Sequence, residues 1–251
     1  MIQQINQITE NDFVTDVVTK DYRTAAVFRK YGIDYCCGGK FPLDKSCLLR
    51  GLDVQDLIKD LENAIQHFPV SDSIKFTEWN LDFLMDYIMH IHHEYLKTTL
   101  PLLAVSLREF VEKHRIKYSY LPELQNIFEK LVNEMLPYLT QEEKIIFPYI
   151  RRMEYAYNSK ETYAGLMVRT LSKPVEEVMK HNHDAIAKYL SQLRKLTNNY
   201  TPPENACTNH KVNFSMLREM DYDLLQHLHL ENDILFPKAI AMENELLLQI
   251  N

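Results

Sequence analysis

The sequence predicts an all-α protein, with a small N-terminal helical domain over residues 1–68 and an up-down four-helix bundle over residues 77–247. The chain has 5 glycines and 10 prolines among 251 residues, about half the usual share of about 12%. So few turn-forming residues disfavour a β-sandwich, a barrel or an open sheet. Hydrophobic residues make up 46% of the chain and charged residues 25%, which allows a sizeable core and excludes global disorder. Four long amphipathic patterns of helical period then indicate the bundle.

The N-terminal domain is predicted to contain short helices separated by glycine-containing loops. A helical pattern over residues 21–31 is followed by Gly32, a residue type that favours the left-handed backbone at a helix C-terminus. The loop over 34–40 contains the run Cys-Cys-Gly-Gly, a second short helix ends at Gly51, and Asp53 can cap a third. We therefore expect a small unit of short helices and a glycine-rich loop that carries two adjacent thiols.

Four longer helical patterns follow this domain. They span about residues 80–110, 121–153, 175–196 and 214–242, and a segment over 197–207 joins the last two. Each pattern gives its helix one apolar face that can be buried. Four amphipathic helices of this length are typical of an up-down bundle.

The second and fourth long helices carry the same motif. Tyr138-x3-Glu142-x4-Phe147-Pro148 recurs as His227-x3-Glu231-x4-Phe236-Pro237, with an offset of 89 residues at every position. His93 on the first helix and His183 on the third are separated by 90 residues. Two helical hairpins, each with a His and then an x3-Glu pair, would pack as a pseudo-symmetric bundle.

Glu142 and Glu231 each lie in the middle of an apolar stripe on a helical wheel of 100° per residue. An ionised carboxylate in a core costs several kcal/mol unless a cation compensates it. A single Glu in such a stripe can instead extend its carboxylate to solvent, but the repeated pattern favours a metal. Two carboxylates and several imidazoles from four facing helices predict a dinuclear site, and their oxygen and nitrogen ligands suit iron, manganese or zinc.

The first long helix offers more than one histidine for this site. His90, His92 and His93 lie close together, and the wheel places His92 at the centre of the apolar stripe and His93 toward its edge. Periodicity alone therefore favours His92.

Charge and cysteine content restrict the partners and the compartment. The 28 Lys and Arg residues against 35 Asp and Glu give a net charge of −7, which argues against nucleic acid or an anionic membrane as the main partner. The first residues lack the basic and apolar regions of a signal peptide, and no stretch approaches 18 consecutive apolar residues. Four cysteines are too few for a disulfide scaffold. We therefore expect a reducing cytoplasm, with Cys47 and Cys207 inert.

Four segments of the chain carry distinctive motifs. The most specific lies over residues 28–40 and reads FRKYGIDYCCGGK. It resembles the N-terminal signature of the repair-of-iron-centres proteins of the YtfE/ScdA type. The other three, over 142–148, 197–203 and 230–237, resemble the hemerythrin-like di-iron bundle of the same proteins. The resemblance covers nearly the whole chain, and it implies a cytoplasmic non-haem di-iron protein that helps to restore iron–sulfur clusters damaged by nitric oxide or oxidants.

The resemblance also implies a set of metal ligands. In the family two irons are held by four histidines and two bridging glutamates. The matching positions of this sequence are His93, Glu142, His183, His227 and Glu231. When this sequence is placed in register with the family at Leu100-Pro101, the ligand position falls on His93. The helical wheel favours His92 instead. Where the family has a histidine four residues before Glu142, this chain has Tyr138.

Tyr138 is expected to point toward the same metal as Glu142. A ferric ion can stabilise a phenolate, so Tyr138 can replace the missing imidazole as a ligand. Otherwise that iron has an open or altered site. In that case Tyr138 donates a hydrogen bond to Glu142 or to a bound water, and His90, His92 or His181 fills the gap.

Cys36 and Cys37 are expected to form an accessible pair of thiols. The nearby Arg29, Lys30 and Lys40 favour the thiolate form. Adjacent thiolates can receive iron, form a transient vicinal disulfide or hold a persulfide.

Two functions of different classes remain open from the sequence. In the first, the bundle donates iron or handles nitric oxide, and the thiol domain mediates delivery to damaged iron–sulfur proteins. In the second, the chain senses or carries O2 or nitric oxide, and the N-terminal domain is an interaction module. A metal-free structural bundle is the third hypothesis. The sequence decides neither catalytic turnover nor whether the chain forms a homodimer.

Overall fold

The structure, a computed structural model, describes residues 8–21, 23–33, 35, 41–65, 74–161, 166, 168 and 175–248, and for 175–184 it describes the backbone. Among these residues the regular structure is helical and no strand is present, which confirms the all-α prediction. No helix in the described part of the chain is long and apolar enough to cross a membrane.

The first of two compact units comprises Met1–Ser71 and Tyr200–Arg218. Its helices are α1 (Val14–Lys20), α2 (Thr24–Lys30), α3 (Leu43–Leu48) and α4 (Val54–Ile65). Their apolar faces form one core, to which Val212 of the second segment also belongs. The domain limits expected from the sequence, 1–68 and 77–247, stay a prediction, and the structure groups the later segment with the N-terminal helices.

Helix α2 ends at the glycine that the sequence indicates. Gly32 has a φ of +64°, which glycine adopts without the steric cost of a Cβ. The N–H of Ile33 donates to the carbonyl of Phe28 at 2.8 Å, and the N–H of Gly32 donates to that of Arg29 at 3.0 Å. These two bonds form a Schellman motif, which satisfies the last carbonyls of the helix.

The second unit comprises Asp72–Asn199 and Glu219–Asn251. Its helices are α5 (Leu81–Tyr87), α6 (Glu94–His114), α7 (Leu121–Gln141), α8 (Phe147–Asn158), α9 (Val175–Leu196), α10 (Thr208–His229, whose first half belongs to the first unit) and α11 (Phe236–Leu248). Within the described residues, three π-helical turns interrupt the long helices: π1 (Ile88–His93) between α5 and α6, π2 (Glu142–Ile146) between α7 and α8, and π3 (Leu230–Leu235) between α10 and α11.

Side chains and packing fix where these helices begin and how they meet. Asn80 caps α5 by accepting the N–H of Phe83 at 2.8 Å. Glu154 on α8 accepts hydrogen bonds from the two preceding free N–H groups, those of Leu81 and Asp82, at 3.1 and 2.9 Å. Helices α6 and α9 pack along α7, and α8 packs against α5 and α11. Apolar residues of all three π-helical turns belong to the same hydrophobic core of the second unit.

Candidate metal centre

The three π-helical turns carry or adjoin the predicted ligands. His93 is the last residue of π1, Glu142 is the first residue of π2, and Glu231 is the second residue of π3. His227 lies one turn before Glu231, near the end of α10. A π-turn is wider than an α-turn, and such turns occur frequently at functional sites.

Four of these side chains converge in the core of the second unit. His93, Glu142, His227 and Glu231 each place one potential ligand atom within 4.8 Å of the others, and all four are 0% exposed. The Nε2 atoms of His93 and His227 are 3.0 Å apart. Nε2 of His227 lies 3.1 Å from a carboxylate oxygen of Glu231, and Nε2 of His93 lies 3.5 Å from one of Glu142.

The two carboxylates of this cluster are electrostatically unequal. Burial raises the pKa of Glu142 well above its usual range, and the charge of Glu231 raises it further. Burial also acts to raise the pKa of Glu231, but the charges and hydrogen bonds of His227 and His93 outweigh it, and the net pKa is lowered. Two carboxylates this close are therefore not both readily ionised without a further cation.

The cluster fits a bound cation. Among the described residues neither oxygen of Glu142 has a hydrogen bond of good geometry, and the hydrogen bond from Tyr138 lowers the pKa of Glu142 by less than burial raises it. A buried carboxylate that is satisfied so incompletely is costly. A divalent ion would satisfy these oxygens and compensate the charge of both carboxylates. Carboxylate oxygens together with imidazole nitrogens are ligands that iron, manganese and zinc accept.

Tyr138 lies beside the two carboxylates. Its side chain is 1% exposed, and burial raises its pKa well above the usual value, with further increases from the charges of Glu231 and Glu142. Without a metal ion the phenol is therefore neutral. Its ligation by a metal stays a prediction.

Two other candidate histidines on the first long helix do not belong to the four-residue cluster. His90 is exposed, and its Nδ1 lies 2.9 Å from the carbonyl oxygen of Asp86 on its own helix. His92 is buried, but its Nδ1 lies 2.9 Å from a carboxylate oxygen of Asp223. The structure thus places His93, the position selected by registry, in the cluster, whereas the helical wheel favours His92.

Three of the predicted site residues have side chains that the structure does not describe. Cys36 and Cys37 lie outside the described residues, and His183 lies in α9 where the backbone alone is described. Of the other cysteines, Cys47 is buried in the first unit, where burial raises the pKa of its thiol. A raised pKa reduces the thiolate fraction, which agrees with the expectation that Cys47 is inert.

Sequence reasoning missed two residues that support the cluster. Glu143 accepts a hydrogen bond from Nδ1 of His93 at 2.9 Å, and Lys97 donates to both oxygens of Glu143 at 2.6 and 2.7 Å. Burial raises the pKa of Glu143, but these bonds from Lys97 and His93 outweigh it and lower the net pKa. The signal in the sequence was the second acidic residue directly after Glu142.

Most of the chain is similar to known proteins. Residues 84–239 match the hemerythrin HHE cation binding domain, and residues 10–65 match the ScdA N-terminal domain, described as a domain of unknown function (DUF542). The iron–sulfur cluster repair protein YtfE of Enterobacter sp. (strain 638) is 31% identical over 221 residues, which are 88% of this chain and 93% of the relative. The chain belongs to the YtfE family of iron–sulfur cluster repair proteins. The YtfE proteins of Citrobacter koseri (strain ATCC BAA-895 / CDC 4225-83 / SGSC4696) and Escherichia coli O8 (strain IAI1) are 32% and 31% identical over 224 residues, with the same coverage.

Membership of the YtfE family agrees with the position of the cluster. The four converging residues all fall within the match to the cation binding domain. The two adjacent cysteines, Cys36 and Cys37, fall within the match to the N-terminal domain.

Proposed function

We propose that this chain holds two iron ions in its helical bundle and uses them in the repair of damaged iron–sulfur clusters. The buried cluster of two carboxylates and two imidazoles supports the metal site. The name of the YtfE relatives favours repair over the alternative of a sensor or carrier of O2 or nitric oxide. Manganese or zinc could occupy the same ligands, and iron is proposed because it is the metal that repair requires.

The proposed ligands divide between the two ions. His93 and His227 would hold one ion, His183 with Tyr138 would hold the second, and Glu142 and Glu231 would be shared between them. Two imidazoles that bind one ion side by side must direct their nitrogens at the same position. The observed Nε2 separation of 3.0 Å between His93 and His227 supports their assignment to a single ion.

The chain's own residues would prepare and use this site. His93 and His227 direct their Nε2 atoms at one position, and the two buried carboxylates would compensate the positive charge of a metal in the core. Bound iron supplies exchangeable metal and redox chemistry toward nitric oxide or O2. Cys36 and Cys37 would take up iron from the bundle and deliver it to damaged iron–sulfur proteins, since thiolates are soft iron ligands. Two adjacent cysteines that act as thiols would suit a reducing, cytoplasmic setting.

The experiment that tests this function uses anaerobically purified, full-length protein. We expect metal analysis to find two irons per chain. We also expect the iron-loaded protein to restore activity to a hydratase whose [4Fe–4S] cluster has been damaged by nitric oxide. Free ferrous iron at the same concentration, without the protein, is the control. Absence of bundle metal, or recovery no greater than in this control, would contradict the proposal.

A further inference from the structure

The imidazole of His93 is held from its Nδ1 side by a carboxylate and a lysine. Because a carboxylate accepts and does not donate, the 2.9 Å contact with Glu143 fixes the ring proton on Nδ1. The lone pair of Nε2 is then directed at His227 and the two buried carboxylates. Such an outer carboxylate orients a metal-binding histidine and makes it a stronger ligand.

The Lys97–Glu143 pair connects the buried His93 with a partly solvent-exposed position. Glu143 is 23% exposed and Lys97 is 33% exposed, whereas His93 is fully buried. Lys97 reaches both oxygens of Glu143 with hydrogen bonds of 2.6 and 2.7 Å. Glu143 is therefore held in two ways, by Lys97 from the solvent side and by His93 from the inside.

The residue types of Glu143 and Lys97 do not recur at the corresponding positions of the second half of the repeat. At the offset of 89 residues the position of Glu143 is occupied by Asn232, which has no charge. At the offset of 90 residues that relates His93 to His183, the position of Lys97 is occupied by Ala187. The two halves of the repeat thus differ in sequence at the positions of Glu143 and Lys97.

We propose that Glu143 is a positioning residue that controls the release of one of the two metal ions, the ion held by His93, and that Lys97 stabilises Glu143 in this role. The inference rests on the proposed metal site and adds unequal release of its ions. When the Lys97–Glu143 pair opens, Glu143 is free to leave Nδ1, and His93 loses the bond that orients it. The ion then departs past a partly exposed side chain without unfolding of the bundle.

The test measures iron release from full-length protein loaded anaerobically with ferrous iron and mixed with excess colorimetric ferrous chelator. We expect Glu143→Ala to release half of its iron about 10–100-fold faster than wild type, with the other half unchanged. Glu143→Gln keeps an oxygen that accepts from Nδ1 and should be intermediate. Lys97→Met should accelerate the same half of the iron by a smaller factor. Lys144→Met changes an exposed neighbouring lysine and serves as the matched control.

Unequal release separates positioning from general destabilisation. The thermal midpoints of the metal-free variants show whether each still folds. Release of both ions at one faster rate, or release as slow as wild type in both Glu143→Ala and Lys97→Met, would overturn the inference while leaving the proposed function intact. A wild-type protein that binds no iron would overturn the proposed function, and this inference with it.

Discussion

Replacement of Glu142 by leucine is expected to make the metal-free protein more stable and the metal site defective. Leucine has a similar volume and no charge, and the site of substitution is 0% exposed. In the proposed site Glu142 would be a ligand of both ions, so its loss should reduce metal content from two ions per chain to one or none. The same residue therefore has opposite effects on stability and on metal binding.

The expected gain in stability follows from the surroundings of Glu142. A buried polar group without a good hydrogen bond costs about 1–3 kcal/mol, and neither oxygen of Glu142 has a well-formed bond among the described residues. Removing this cost should raise the free energy of unfolding of the metal-free protein by about 1–3 kcal/mol. For a chain of this length that corresponds to a rise of roughly 2–12 °C in thermal midpoint.

The assay combines metal analysis with thermal unfolding of metal-free protein, followed by circular dichroism. Glu134→Leu is the matched control because Glu134 is exposed on α7, the helix that directly precedes Glu142. It should retain both ions and change the free energy of unfolding by less than about 0.5 kcal/mol. Full metal occupancy in Glu142→Leu, or a lower thermal midpoint than metal-free wild type, would refute this reasoning.

Two further predictions concern the remaining ligand and the thiols. With ferric iron bound, the protein should show a phenolate charge-transfer absorption that disappears in Tyr138→Phe while iron is retained, and an unchanged visible spectrum would place Tyr138 beside the metal as a hydrogen-bond donor. The double variant Cys36→Ser, Cys37→Ser should retain both bundle irons and lose cluster repair, because both residues precede the helical repeat. Loss of bundle iron in that variant, or undiminished repair, would contradict this division of labour.

The fold and much of the cluster could be predicted because they depend on residue type and simple periodicity. A shortage of glycine and proline together with four amphipathic patterns indicates helices without strands. Glu142 and Glu231 stood out because a carboxylate in an apolar stripe conflicts with burial unless a cation is present. The repeat strengthened this interpretation, because the same conflict recurs 89 residues later.

The contacts of individual side chains across helices were not predictable in the same way. Glu143 follows Glu142 directly and lies outside the apolar stripe of a regular helix, so periodicity gives it no role. In the structure it reaches His93 on the facing helix. Similarly, Asp223 binds Nδ1 of His92, and a pairing of residues 131 positions apart has no signature in a single sequence.

The choice between His92 and His93 shows how the π-helical turns limit a helical wheel. A wheel advances 100° per residue, but each π-turn contains an additional residue, so later positions are displaced by up to about 100° from their expected direction.

For π2 and π3 the sequence offers a physical cause. Pro148 and Pro237 have no N–H to donate to the carbonyls of Lys144 and Asp233, so the regular i→i−4 hydrogen bonding is interrupted there. In π1 no proline follows within one turn, since Pro101 lies well inside α6. The repeated Phe-Pro thus indicates two of the three wide turns, and the third, which carries His93, depends on packing between helices.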